Sequence, residues 1–125
     1  MASASRRFTP ASRLREAREF KHVFARPFRS HSATLTILAR ANGLAEPRLG
    51  LAIAKKHVRR AVDRNRVKRV VREHFRLHSE GIGGLDIIVL ARRGLAEQTR
   101  PELRAGLERH WRRLEGVAGD SVPSC

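Results

Sequence analysis

At 125 residues with 41% hydrophobic side chains, the chain has material for one modest core, and two domains would be hard to accommodate. Its 27 Lys and Arg against 12 Asp and Glu give a formal charge of +15, whose self-repulsion opposes compactness unless a polyanion offsets it. Nucleic acid is the expected partner and an anionic membrane surface the electrostatic alternative; the lone Cys125 excludes a disulfide framework and a cysteine metal site.

No apolar run is long enough to span a bilayer, and no apolar secretory segment opens the chain, so a cytoplasmic protein is expected. Residues 1–12 are rich in Ser, Ala and Arg and read as a flexible basic arm, although a short transit peptide has a similar composition. Ser12 then caps a helix expected over residues 13–26, with Leu14, Ala17, Phe20 and Phe24 on one side and Pro27 as its stop.

Ala33 to Ala41 alternates as a strand, with Leu35, Ile37 and Ala39 on one face and Thr34, Thr36 and Arg40 on the other. Asn42, Gly43 and Pro47 form a turn before a second strand, Arg48 to Lys55. The two strands are expected to pair as an antiparallel hairpin, whose small residues Gly50, Ala52 and Ala54 leave room for close packing. A helix from about Arg59 to His78 follows, ended by Gly81, Gly83 and Gly84. Leu85 to Arg92 reads as a buried strand. Thr99, Pro101 and Glu102 open a last helix as a capping box, carrying Leu103, Leu107, Trp111 and Leu114, and residues 116–125 read as a loose tail. The expected class is α+β: a two-layer sandwich with helices packed on a small mixed sheet, in the order α-β-β-α-β-α, with room for a further short strand.

Ten basic residues lie between Lys55 and Arg76 (Lys55, Lys56, Arg59, Arg60, Arg64, Arg66, Lys68, Arg69, Arg72 and Arg76) against only Asp63 and Glu73. At about 100° per residue, Val67, Val70, Val71, Phe75 and Leu77 fall on one side of the helix, and Asn65, Arg66, Lys68, Arg69, Arg72 and Arg76 on the other. One side packs and the other presents charge. Guanidinium forks match phosphate oxygens, and Asn65 adds a neutral group able to read a base edge or a sugar hydroxyl. Arg60 and Arg64 fall toward the apolar side and are expected at the helix start, bending back toward solvent or partner. Lys55 and Lys56 extend the patch into the preceding loop, or simply terminate a strand. Phe20 and Phe24, one helical turn apart, are either core residues or a stacking platform for a single strand.

No protein active site emerges. The glycines at 81, 83 and 84 follow a helix rather than precede one, EHFRLH lacks the HExxH arrangement and a third ligand for His74 and His78, and no carboxylate cluster gathers for magnesium.

The stretch RLGLAIAKKHVRRAVDRNRVKRVVREHFR, Arg48 to Arg76, resembles the protein subunit of bacterial ribonuclease P. The signature is Arg64, Asn65 and Arg66 followed by Lys68, Arg69 and Arg72, flanked by REFKHVF at Arg18 to Phe24, by Lys55 and Lys56, and by LDIIVLARRG at Leu85 to Gly94. The resemblance runs from about Phe8 to Leu114. It implies a subunit of a ribonucleoprotein endonuclease that removes the 5′ leader from precursor tRNA. The catalytic RNA would hold magnesium and perform the hydrolysis, and the protein would bind no cofactor of its own and need no obligate protein partner. It also implies that the Arg64-Asn65-Arg66 helix faces the catalytic RNA, that Phe20, Phe24, Lys68 and Arg72 line a cleft for the single-stranded leader, and that the crossover around the helix is left-handed. The absence of tyrosine departs from family members with tyrosine in that cleft; Thr34, Thr36 and Leu38 occupy the first strand instead. The residues alone leave two alternatives: a structural ribosomal protein, and a DNA-binding module with the helix in a major groove.

Overall fold

A computed structural model describes residues 13–117. Its elements are α1 (Ala17–Ala25), β1 (Phe28–His31), β2 (Leu35–Ala41), β3 (Arg48–Ala52), α2 (Ala61–His78), β4 (Leu85–Ala91) and α3 (Arg100–Leu114), with single 3-10 turns at Ser79–Gly81 and Leu95–Glu97. The expected α+β class with a small mixed sheet is what forms. The additional short strand is β1, which pairs antiparallel with β2 from Phe28 opposite Ala39 to His31 opposite Thr36.

The expected hairpin of the second and third strands does not form. The sheet order is β1-β2-β4-β3, with β4 antiparallel to β2 and parallel to β3. Ile87, Ile88 and Val89 are fully buried, so both faces of β4 need cover and the strand takes an interior position. The segment between Ala41 and Arg48 therefore spans an intervening strand instead of closing a tight turn. It is held by Asn42, whose backbone N–H donates to the Gly84 carbonyl and whose side-chain oxygen accepts from Leu44 N–H. β3 also ends at Ala52, short of the expected Lys55, because the chain turns there: the Ala54 carbonyl accepts from both His57 and Val58 N–H.

The first helix begins at Ala17, four residues later than expected. Leu14 N–H donates to the Leu49 carbonyl and Arg13 bridges Leu49 in parallel, so this segment is drawn out along the free edge of β3. The expected cap, Ser12, lies outside the described residues, as does the basic arm. Glu16 and Glu19 cap instead, the Glu19 carboxylate accepting from the backbone N–H groups of Arg15 (2.7 Å) and Glu16 (3.0 Å).

α2 and α3 cover one sheet face, where Val67, Val71 and Phe75 meet Leu35, Ile37, Leu49, Ile87 and Val89, closed by Leu103, Leu107, Trp111 and Leu114. Burying each such aliphatic side chain contributes about 1.5–3 kcal/mol. α1 crosses the opposite face, where Leu14 and Val23 join Leu38 and Ile88. The capping box at Thr99 and Glu102 forms as expected. Within the expected loose tail, Val117 is buried; residues 118–125 lie outside the described region.

Candidate RNA interface

α2 starts at Ala61 with Arg60 as its N-cap residue. Arg59, Arg60, Asn65, Arg69 and Arg72 are exposed, and Arg64, Arg66, Lys68 and Arg76 are half-buried. Val67, Val70, Val71 and Phe75 are buried as the periodicity requires. Leu77 is not: it is 43% exposed, because it sits at the edge of a groove between α2 and α3 rather than over the sheet. His74 is buried there instead, its ring edge-on to Trp111 at 4.8 Å. Burial, and then the charge of His78, push the His74 imidazole down to about 4, so it is neutral at pH 7.

Two of the signature arginines have intramolecular partners. Arg64 Nη1 donates to the carbonyls of Val58 (3.1 Å) and Arg59 (2.8 Å), bending back over the helix start and tying down the loop that carries Lys55 and Lys56. Arg66 forks onto the carbonyls of Gln98 and Ala96, each at 3.0 Å, linking α2 to the 3-10 turn before α3. These contacts use only part of each guanidinium's five donors. Asn65 and Arg69 are exposed on the outer surface, Arg72 is exposed at the edge of α2, and Lys55 and Lys56 are exposed in the turn after β3.

A cleft of roughly 180 Å³ opens beside this surface. Phe20 and Leu14 form one wall, Gly50 and Leu51 of β3 the floor, and Lys68 and Arg72 of α2 the far side. Phe24 does not line it; it stands exposed one turn further along α1. The sequence thus brings Phe20, Lys68 and Arg72 together and leaves Phe24 at a distance from them. Thr36 and Leu38 are buried in the sheet and do not line the cleft either.

The position of Phe20 depends on a network whose members are too far apart in the chain to stand out in the sequence. Arg48 makes a two-pronged contact with Asp86, Nε to Oδ1 at 2.8 Å and Nη2 to Oδ2 at 2.7 Å, while its Nη1 donates to Glu19 Oε2 at 3.1 Å. Asn42 also donates to Asp86 Oδ1 at 3.0 Å. Asp86 is only 2% exposed. The hydrogen bonding of Arg48 to the Asp86 carboxylate is the main cause holding the guanidinium more firmly protonated, and the backbone N–H groups of Glu16 and Arg15 hold the Glu19 carboxyl below its usual range. β3, β4 and the first turn of α1 are thereby fixed together, with Phe20 next to Glu19.

The ribonuclease P family model matches residues 8–115. The chain belongs to the ribonuclease P protein family. It is 50% identical over 119 residues to the ribonuclease P protein component of Chromohalobacter salexigens, covering 94% of this chain and 93% of that one. To the component of Pectobacterium atrosepticum it is 46% identical over 108 residues, covering 86% and 91%. The RNase P protein of Thermotoga maritima, solved in complex with 1-(4-fluorophenyl)-2-thiourea, superposes with a TM-score of 0.75 at 34% identity, over 82% of this chain and all of that one. As a ribonuclease P protein component, the chain is part of an endoribonuclease of tRNA processing and a partner in a ribonucleoprotein; a structural ribosomal role is not favoured. Among the described residues no group of three or more His, Cys, Asp or Glu converges as a metal site. No described helix is long and apolar enough to cross a membrane.

Proposed function

We propose that this chain assists a catalytic RNA in removing the 5′ leader of precursor tRNA, with the outer face of α2 against that RNA and the single-stranded leader in the cleft of Phe20, Lys68 and Arg72. The cleft carries the reading: one aromatic ring for a base and two cations for the backbone stand across a floor of Gly50 and Leu51. Gly50 lets the Phe20 ring lie directly against β3, where it can stack on a base of an unpaired strand. Asn65, Arg69, Lys55 and Lys56 bind the catalytic RNA, with Arg59, Arg60 and Arg76 adding charge at the two ends of the helix, while Arg64 and Arg66 hold the loops that present them. Magnesium belongs to the RNA, which performs the hydrolysis; the protein orients the substrate, needs no protein partner and acts in the cytoplasm.

The test is discrimination between precursor and mature tRNA by the complex of this protein with a bacterial ribonuclease P RNA. The native protein should favour the precursor, and Phe20→Ala or Lys68→Ala should reduce that preference several-fold without affecting mature tRNA. Equal affinity for both tRNAs with the native protein would refute the cleft as a leader site.

A further inference from the structure

A second polar network lies at the opposite edge of the sheet from the cleft. Arg113 Nη1 on α3 donates to Ser30 Oγ at 2.9 Å and to the His31 carbonyl at 3.1 Å. Ser30 Oγ lies 2.6 Å from His110 Nδ1, His110 Nε2 lies 3.0 Å from Ser32 Oγ, and Ser32 Oγ donates to the Leu35 carbonyl at 3.3 Å. One assignment of protons makes every bond: Arg113 donates to Ser30, Ser30 to Nδ1, Nε2–H to Ser32, and Ser32 to Leu35. Ser30 and His110 are 2% and 1% exposed. Burial and the charges of Arg113, Arg109 and His31 lower His110 to about 4, which keeps it neutral and keeps Nδ1 an acceptor.

The relay terminates at an exposed cation. Arg113 uses only Nη1 for these bonds, so the other nitrogens of its guanidinium make no hydrogen bond among the described residues. Arg109 is exposed one turn earlier on the same helix, and no ion pair among the described residues includes Arg29, Arg109 or Arg113. Elsewhere α3 does balance its charge, as Arg104 meets Glu73 and Arg112 meets Glu108. Phe28, 39% exposed, lies two residues before Ser30 and so on the same face of β1. A cation fixed from beneath by a buried network, the unneutralised Arg109 one turn along the same helix, and an exposed ring on the adjoining edge strand together match the chemistry of a nucleic-acid strand: phosphate for the guanidinium, a base for the ring.

We propose that Arg113, with Arg109 and Phe28, forms a second RNA contact that takes a phosphodiester and a neighbouring base of an RNA strand. This rests on the reading of the protein as an RNA-binding subunit. The site stands three strand spacings, about 14 Å, across the sheet from β3 and the leader cleft, so the two surfaces are separately mutable.

The experiment measures affinity for a bacterial ribonuclease P RNA across a salt series, for the native protein and for Arg113→Gln, Arg109→Gln and Phe28→Ala. Each arginine variant should bind about threefold to tenfold more weakly with a salt slope reduced by about one, and Phe28→Ala should weaken binding with little change in slope. All three should keep the native preference for precursor over mature tRNA. Arg109 and Phe28 take no part in the buried relay, so they decide the matter if Arg113→Gln proves unstable. Native affinity and slope in both of these variants would overturn the proposal and leave the leader cleft standing. No binding by the native protein would instead refute the function on which the proposal rests.

Discussion

Phe20 lies directly over Gly50: a methyl group built at Gly50 would meet the ring's Cε1 and Cζ at 2.7 Å, and Leu14 Cβ at 3.2 Å. The floor of the cleft is therefore closed to any side chain, and the ring position follows from that closeness. Gly50→Ala should force the ring outward, costing about 1–3 kcal/mol by overpacking and weakening precursor binding more than mature tRNA binding. Urea denaturation together with the two affinities checks this.

Asp86 fixes Arg48, and Arg48 fixes Glu19 and the start of α1. Asp86→Asn removes the buried carboxylate of the two that hold the guanidinium and leaves only Glu19, and the cost is expected to be about 3 kcal/mol. Because α1 carries Phe20, precursor discrimination should decline even at temperatures where the variant remains folded. Chemical denaturation measures the first effect and tRNA binding the second.

Arg66 and Arg69 are three residues apart and should behave differently. Arg66→Lys removes the fork onto Ala96 and Gln98, so a loss of about 1–2 kcal/mol in stability is expected. Arg69→Gln, on the exposed face, should alter stability by less than about 0.5 kcal/mol yet lower the salt slope of RNA binding by about one. Thermal melts beside salt titrations separate the two.

His74 and His110 both titrate lower in the folded chain, at about 4, than the ordinary 6.5. Below about pH 6.5 the unfolded chain takes up protons that the folded one refuses, so stability is greatest above that pH and falls as pH drops toward 4. Each group contributes a slope of up to about 1.4 kcal/mol per pH unit in that window. Glu19 has the opposite chemistry and the same direction: its lowered carboxyl stabilises the fold above about 4.5 and loses that contribution as pH falls further. His74→Phe should flatten the melting temperature between pH 6.5 and 4, measured by circular dichroism.

Local patterning made most elements legible. The capping box at Thr99 and Glu102, the apolar stripe of Val67, Val71 and Phe75 and the buried run at Ile87 to Val89 each depend on neighbours within a few residues. Pairing order is a different kind of information. β2 and β3 looked like a hairpin because they are adjacent in sequence, and only the need to bury both faces of β4 separates them. The same limit applies to the site. The charge of α2 was readable, whereas the inward turn of Arg64 and Arg66 depends on carbonyls in two loops, and the anchoring of Phe20 depends on Asp86, sixty-six residues away. Arg113 and Ser30 meet across eighty-three residues, with no local signal at either end.

In the proposed function this protein binds and positions while a partner RNA cuts. The most direct measurement is reconstitution with a bacterial ribonuclease P RNA and precursor tRNA at low magnesium, with and without the protein, and with the protein alone. Leader removal should depend on the protein when RNA is present and should be absent with protein alone. Cleavage by the protein without RNA, or RNA cleavage indifferent to the protein at low magnesium, would contradict this division of roles.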